Sequence, residues 1–250
     1  VAAWFRAAYR EAVLQRKLVG SEKERYVNEI FGSIALKYDL LNSIISLGRH
    51  KSWRKTAVKM SELAPGSAAL DVATGTGDLA LELARLAGSS GQVVGSDFCG
   101  PMLELAHRKL GDKPNIKLVT ANAEHLPFAA DTFDCATIGF ALRNVANVSN
   151  TIAEMTRVIK PGGRVISLEI VGPRSQTLQP FWHAYFSKMM PRVAQIFGAE
   201  REPYEYLPDS VKRFYSREEL ADIFEDSGLV DITIRDLTMG VVCIHAGTKR

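Results

Sequence analysis

The chain has 250 residues, 46% of them hydrophobic and 24% charged, with a net charge of +3. That length suits one α/β domain with a small appendage, and so even a charge balance gives no reason to expect nucleic acid as a partner. The three cysteines lie far apart, the five histidines show no metal-ligand spacing, and no apolar run reaches the roughly 18 residues of a membrane span, so a reducing, cytoplasmic setting without a metal or disulfides is expected.

Residues 1–18, VAAWFRAAYREAVLQRKL, predict a basic amphipathic helix. Trp4, Phe5, Val13, Leu14 and Leu18 oppose Arg6, Arg10, Arg16 and Lys17, with Glu11 the single acid. Such a helix suits an anionic membrane surface, a remnant of a targeting peptide, or simple packing on its own domain. Residues 1–20 are therefore read as an extension, and 21–250 as one domain. Residues 21–63 read as helical. Their segment KYDLLNSIISLGRHKSWRK mixes Tyr38, Asp39, Asn42, His50 and Trp53 with apolar residues and breaks at Gly48. A lid over a ligand has this mixture, and so does a surface helical hairpin.

From Ala69 onward, strand and helix signals alternate. Strands are expected at 69–73, 92–97, 116–121, 132–140 and 164–170, with helices at 77–87, 101–110 and 152–159. This order predicts a parallel sheet with helices on both faces, whose ligands bind beyond the carboxyl ends of the strands. Residues 172–215 interrupt the alternation with five prolines among aromatic residues such as Phe181, Trp182, Tyr185, Phe197, Tyr204 and Tyr206. That stretch reads as a helical insertion, either covering a pocket or adding to the core. A helix at 217–227 and two strands at 232–237 and 241–246 follow, and the short connection between the strands implies an antiparallel pair.

The first strand runs straight into Thr74-Gly75-Thr76-Gly77. Two glycines between strand and helix let a ligand approach the backbone, and the helix N-terminus offers free N–H groups. Gly75-x-Gly77-x-x-Ala80 matches the dinucleotide fingerprint, and Asp97 stands twenty residues past Gly77, where a ribose-binding acid belongs. NAD and S-adenosylmethionine both satisfy that spacing. Asp71, just before the glycines, tilts the choice: it would repel a pyrophosphate but not a sulfonium-bearing methionine.

Several stretches together resemble one family over residues 28–250. They are the lid segment above, LDVATGTGDLA, SDFCGPML, ANAEHLPFAADTFDCATIGFALRNV, RVIKPGGRVISLE, YEYLPDSVKRF and MGVVCIHAGTKR. The chain is similar to the quinone-biosynthesis C-methyltransferases that act on demethylmenaquinol and on the ubiquinol precursor. The resemblance implies a Rossmann-like α/β fold: a seven-stranded methyltransferase sheet, mostly parallel with an antiparallel last strand, helices on both faces. It implies S-adenosylmethionine as cofactor. Asp71, Gly75, Thr76 and Gly77 would bind at the glycine turn, Asp97 at the ribose diol, Asn122 and Ala123 beside the adenine, and Gly139 where the family often has Ser. Ala141 replaces a usual Gly.

A quinone ring is too electron-poor to accept a methyl cation equivalent, whereas a quinol reacts once an adjacent hydroxyl loses its proton. Arg143 is expected to stabilise that oxyanion or to orient a water serving as base, and Asn144 to add a hydrogen bond. Tyr38 and His50 are expected to position substrate or relay a proton, and Glu169 to orient these groups. The expected partners are a prenylated quinol, most readily demethylmenaquinol, a membrane surface touched peripherally, and a homodimer or biosynthetic complex. A scaffold without catalysis is the rival from another class. An NAD-dependent reductase would show a Tyr-x-x-x-Lys pair beyond the fourth strand, where Arg143-Asn144-Val145 stands instead.

Overall fold

A computed structural model describes residues 21–189, 192, 208 and 210–250. The basic extension at 1–20 and, within the insertion, Phe197, Tyr204 and Tyr206 lie outside the described residues. Two helices open the described chain. Helix α1, Ser21–Ile45, buries Tyr26, Ile30, Ile34 and Leu41 along one stripe and carries Glu22 and Glu24 in its first turn, where acids favour the helix dipole. It stops at Leu47 and Gly48, both at positive φ, +52° and +74°. Helix α2, Arg49–Met60, then leaves at 92° and buries His50, Trp53, Arg54, Ala57 and Val58 at helical spacing.

A seven-stranded sheet carries everything else, in the order β3-β2-β1-β4-β5-β7-β6. Its strands are β1 Ala68–Val72, β2 Gln92–Asp97, β3 Ile116–Thr120, β4 Phe133–Gly139, β5 Ile159–Ile170, β6 Leu229–Leu237 and β7 Val242–Lys249. The first five run parallel, and β7 is antiparallel to both of its neighbours. Central β1 registers Leu70 against Val94 on one side and Ala136 on the other. Being covered on both faces, its residues Ala69 to Val72 are wholly buried, which is why the run reads AALDV rather than alternating.

Helices α3 Asp78–Ala87 and α4 Gly100–Leu110 follow β1 and β2, α5 Val148–Val158 follows β4, α6 Gln179–Ala184 follows β5, and α7 Arg217–Asp226 precedes β6. One core layer packs Leu142, Ile152, Met155, Leu220 and Phe224 on the sheet; the other packs Val58, Leu79, Leu83 and Val93. Each such side chain contributes about 2 kcal/mol by leaving water.

Most boundaries shift by a residue or more from the expected ones, and three have visible local features. Helix α5 begins at Val148 instead of Ile152, because the Asn147 side chain accepts the Asn150 N–H at 3.0 Å and caps it. Strand β5 starts at Ile159, pairing with Phe133 before the register shifts at the Pro161-Gly162-Gly163 stretch. Strand β6 starts at Leu229 and passes an irregularity at Asp231, whose φ is +52°.

The insertion and the β6–β7 hairpin are tied together by Arg217. Its Nε meets Asp236 at 2.6 Å, while Nη2 donates to the Gly172 carbonyl at 2.8 Å and to the Gly240 carbonyl. Arg217→Met keeps an apolar stem but strands two buried carbonyls. It should lower the unfolding free energy by about 3 kcal/mol. Urea denaturation measures this, and a loss below about 1 kcal/mol would mean that water replaces the guanidinium.

Candidate functional site

The sheet order reverses between β1 and β4, and the crevice at such a switch point is where the strands' carboxyl ends open. The turn after β1 is strongly bent: Ala73, Gly75 and Gly77 all have positive φ, at +51°, +56° and +83°. Asp71 holds it from below. Its Oδ1 accepts from Thr137 at 2.7 Å; its Oδ2 accepts from the Thr74 hydroxyl at 2.6 Å and the Ala80 N–H at 3.1 Å. Burial pushes the Asp71 carboxyl up to about 6, against those three hydrogen bonds. From above, Asp97 completes the turn, taking the Gly75 N–H at 2.8 Å and the Cys99 N–H at 2.9 Å. Burial raises the Asp97 carboxyl too.

Over this turn lies an open-sided cavity. Every strand end on the β3–β4 side contributes to it: Gly75, Asp97, Phe98, Asn122, Ala123 and Gly139, with Met102 from α4. Helix α1 forms its roof with Glu24, Val27, Phe31 and Tyr38. The roof is pinned at both ends. Glu24 accepts the Asn122 amide at 2.9 Å, and Asp39 accepts the Thr76 hydroxyl and the Lys109 ammonium, each at 2.7 Å.

A second, roomier cavity shares Phe31, Tyr38, Phe140 and Asn144 with the first. Its walls are mostly apolar: Ile30, Ile34 and Ile45 of α1, Trp53 of α2, and Trp182 and Phe186 of the insertion, whose rings stack at 4.7 Å. Arg143 stands in this wall with its side chain 7% exposed. Its Nη1 meets Glu169 Oε2 at 2.6 Å, and its buried Nε has no partner. Glu169 is wholly buried and also accepts the Leu142 N–H at 2.8 Å. Burial raises the Glu169 carboxyl, opposed by the Arg143 charge.

Residues 19–249 match the family model described as the ubiE/COQ5 methyltransferase family. The chain belongs to that family. It is a methyltransferase. Among its relatives, a demethylmenaquinone methyltransferase of Shouchella clausii is 40% identical over 92% of this chain and 99% of its own length. A ubiquinone/menaquinone biosynthesis C-methyltransferase of a Marinomonas strain is 38% identical over 94% of each chain. Among solved structures, a SAM-dependent methyltransferase of Thermotoga maritima superposes with a TM-score of 0.62 at 21% identity, covering 90% of this chain and all of the other. A [4+2]-cyclase, SpnF, reaches the same TM-score of 0.62 at 16% identity, covering 90% and 95%. The fold alone therefore leaves the reaction open.

The methyltransferase site gathers Gly75, Asp97, Asn122, Ala123 and Gly139 around the first cavity, and Arg143, Asn144, Tyr38 and His50 around the second. Four expected site residues stand elsewhere. Asp71 does not line the cavity; its oxygens are spent on the turn beneath it. The Thr76 hydroxyl points to Asp39 in the roof. Gly77 packs against α4, where a Cβ would come within 2.9 Å of Leu110. Glu169 does not line either cavity and acts through Arg143.

His50 lines the second cavity with both ring nitrogens engaged. Arg54 Nη1 can only donate, so at 2.6 Å it fixes Nδ1 as acceptor, leaving Nε2 to donate to Ser43 at 3.1 Å. Burial and the Arg54 charge hold the His50 pKa down at about 4, so the ring is neutral with no lone pair to spare.

Sequence reasoning missed Glu24, Phe98, Met102, Arg54 and Phe140 as lining residues. Phe98 and Met102 follow Asp97 in SDFCGPML, and an apolar pair just past a ribose acid was the available signal. At position 139 a Cβ would stand 2.6 Å from Leu79 Cδ1, so a Ser there needs that leucine to shift.

The raised Asp71 carboxyl makes a pH prediction. Folded Asp71 keeps its proton up to about 6, whereas the unfolded residue loses it near 3.8. Within that window the folded state binds more protons, so this residue's contribution to stability falls as pH rises. Asp71→Asn can still accept from Ala80 and pair with both threonines. It should gain on the wild type by about 3 kcal/mol between about pH 4 and about pH 6. Denaturation curves at several pH values check this; parallel profiles would show Asp71 ionised throughout.

Proposed function

We propose that the chain moves the methyl group of S-adenosylmethionine to a ring carbon of a prenylated quinol. Demethylmenaquinol is the first choice, supported by the names of several relatives at about 40% identity. The benzoquinol precursor of ubiquinone is the second, supported by the name of the Marinomonas relative. One observation carries the reading. A large apolar cavity continues the donor pocket and holds a buried arginine with an uncommitted N–H.

The donor pocket has the chemistry the cofactor needs. Asp97 is the acid for the ribose diol, and Phe98, Met102 and Ala123 offer an apolar slot for the adenine. Gly75 leaves nothing within 4 Å of where a Cβ would stand, so the turn admits a ligand against its backbone. The bound donor supplies an electrophilic methyl carbon on a positively charged sulfur.

At the acceptor, the ring must be aligned with that carbon and must carry negative charge. Tyr38 and Asn144 stand where the two cavities meet and hold the ring at the junction. The Arg143 guanidinium places its positive charge beside the oxyanion, while Glu169 holds it in place. Among the described residues lining the second cavity there is no carboxylate, and His50 is engaged at both nitrogens. A water held by Arg143 therefore takes the hydroxyl proton. Ile34, Trp182 and Phe186 provide an apolar path for the tail. Since such a tail partitions into lipid, the enzyme works at a membrane surface; no single helix among the described residues is long and apolar enough to cross one.

The test is methyl transfer from labelled S-adenosylmethionine to reduced and oxidised demethylmenaquinone in parallel. Label should enter only the reduced lipid. Arg143→Ala should lower kcat about a hundredfold and leave S-adenosylhomocysteine binding unchanged, with a smaller loss for Glu169→Gln. Label in neither lipid, with the cofactor bound tightly, would overturn the acceptor. An equal loss of cofactor binding in Arg143→Ala would reduce Arg143 to a structural role.

A further inference from the structure

Two chain turns and helix α6 meet at the second cavity, lining it with Leu47, Thr238 and Trp182, and each presents a large apolar side chain to water. Leu47, after α1, is 82% exposed; Phe181, in α6, is 75% exposed; Met239, in the β6–β7 turn, is 72% exposed. The three segments are tied to one another. Tyr185 donates to the Ile45 carbonyl at 2.7 Å, which joins the insertion to the end of α1. Trp53 Nε1 donates to the Thr238 hydroxyl at 2.9 Å, which joins α2 to the hairpin turn. The Trp182 ring lies against Gly172, whose N–H donates to the Val241 carbonyl at 3.2 Å, which joins the insertion to the same hairpin.

Two of these side chains sit on backbone that disfavours them. Leu47 has φ +52° and Met239 has φ +55°, a region where Asn, Asp or Gly would be at ease and a bulky apolar residue is not. Neither the core nor the backbone accounts for an apolar residue there. Beside them runs α2, whose sequence RHKSWRKTAVKM carries no acid and exposes Arg49, Lys51, Lys55 and Lys59. Leu36 and Leu40 are also exposed, but they lie on the face of α1 opposite its buried stripe and are not part of this group.

We infer that Leu47, Phe181 and Met239 form a docking face for an anionic lipid surface, inserting around the cavity mouth while α2 meets the headgroups. This rests on the quinol reading above and adds to it how substrate enters: the tail passes from bilayer to cavity without crossing water. Apolar tips rimmed by basic residues are the pattern of a surface that dips into lipid, with binding built from buried apolar area and attraction to anionic headgroups.

The test uses the full chain and the double variant Phe181→Gln/Met239→Asn, which leaves Leu47 and the cavity lining untouched. Flotation is run with phosphatidylglycerol vesicles and with phosphatidylcholine vesicles. Wild type should prefer the anionic vesicles, and the variant should partition about tenfold less into them. The variant's melting temperature should be unchanged or higher, because Asn suits positive φ at position 239. Methylation of a short-tailed, water-soluble quinol should be retained, while methylation of a long-tailed quinol in vesicles should fall with partition. Equal flotation of variant and wild type would overturn the docking face, as would equal binding of wild type to both lipids. So would a dimer that the variant dissolves without vesicles present, since the face would then belong to a second copy of the chain. Failure of wild type to methylate the short-tailed quinol would instead strike the quinol reading, and flotation would still decide the face.

Discussion

A single carboxylate, Asp71, holds the geometry on which the rest of the site depends. It joins its own strand to the next strand through Thr137, to the glycine turn through Thr74, and to the first turn of α3 through Ala80. Three elements that could each drift are thereby fixed at one point below the donor pocket. The bond from the Gly75 N–H to Asp97 then links this turn to the end of β2. A buried polar hub of this kind is favourable only when every lone pair finds a donor, and removing one partner costs more than the bond itself contributed. The residue read in the sequence as a ligand contact is thus one layer beneath the ligand.

The same layering separates Arg143 from Glu169. The arginine faces the cavity, and the glutamate, wholly buried, faces the arginine and the Leu142 N–H. An arginine on its own could adopt many rotamers in so large a cavity. Tied by Nη1 to Glu169, its guanidinium is held in one place in the cavity wall, which fixes where its positive charge stands. The roof works on a different principle. Its polar contacts, Asp39 to Lys109 and Glu24 to Asn122, are partly exposed, the Asp39 and Lys109 side chains by 44% and 29%, whereas the buried stripe of α1 packs Ile34 and Leu41 on Phe186 and Ala35 on Met102 and holds the roof down.

Much of the fold was legible because α/β alternation writes itself into periodicity: Gln92–Asp97 and Leu79, Leu83 and Ala87 could be read without a structure. The site was legible to the extent that ligands gather at strand ends, which placed Gly75, Asp97, Asn122 and Gly139 correctly on the cavity. What pattern could not supply was direction. Thr76 and Gly77 sit in the right turn but face the roof and α4, and His50 lies in the right wall with both nitrogens already used. Whether a side chain faces a ligand or a neighbour depends on partners distant in sequence, such as Arg54 and Asp39, and no local spacing encodes that.

The close approach of Leu79 to Gly139 carries a consequence for how this family can vary. The two positions are sixty residues apart in the chain, yet a Cβ at 139 and a leucine methyl at 79 claim the same space. A serine at 139 adds a hydroxyl toward the donor pocket only where residue 79 has shrunk or turned aside. Adding a Cβ at 139 beside Leu79 in its present rotamer crowds the pair, whereas shortening residue 79 beside Gly139 only opens space. Of the two orders in which these positions could change, the one that first shortens residue 79 avoids the clash.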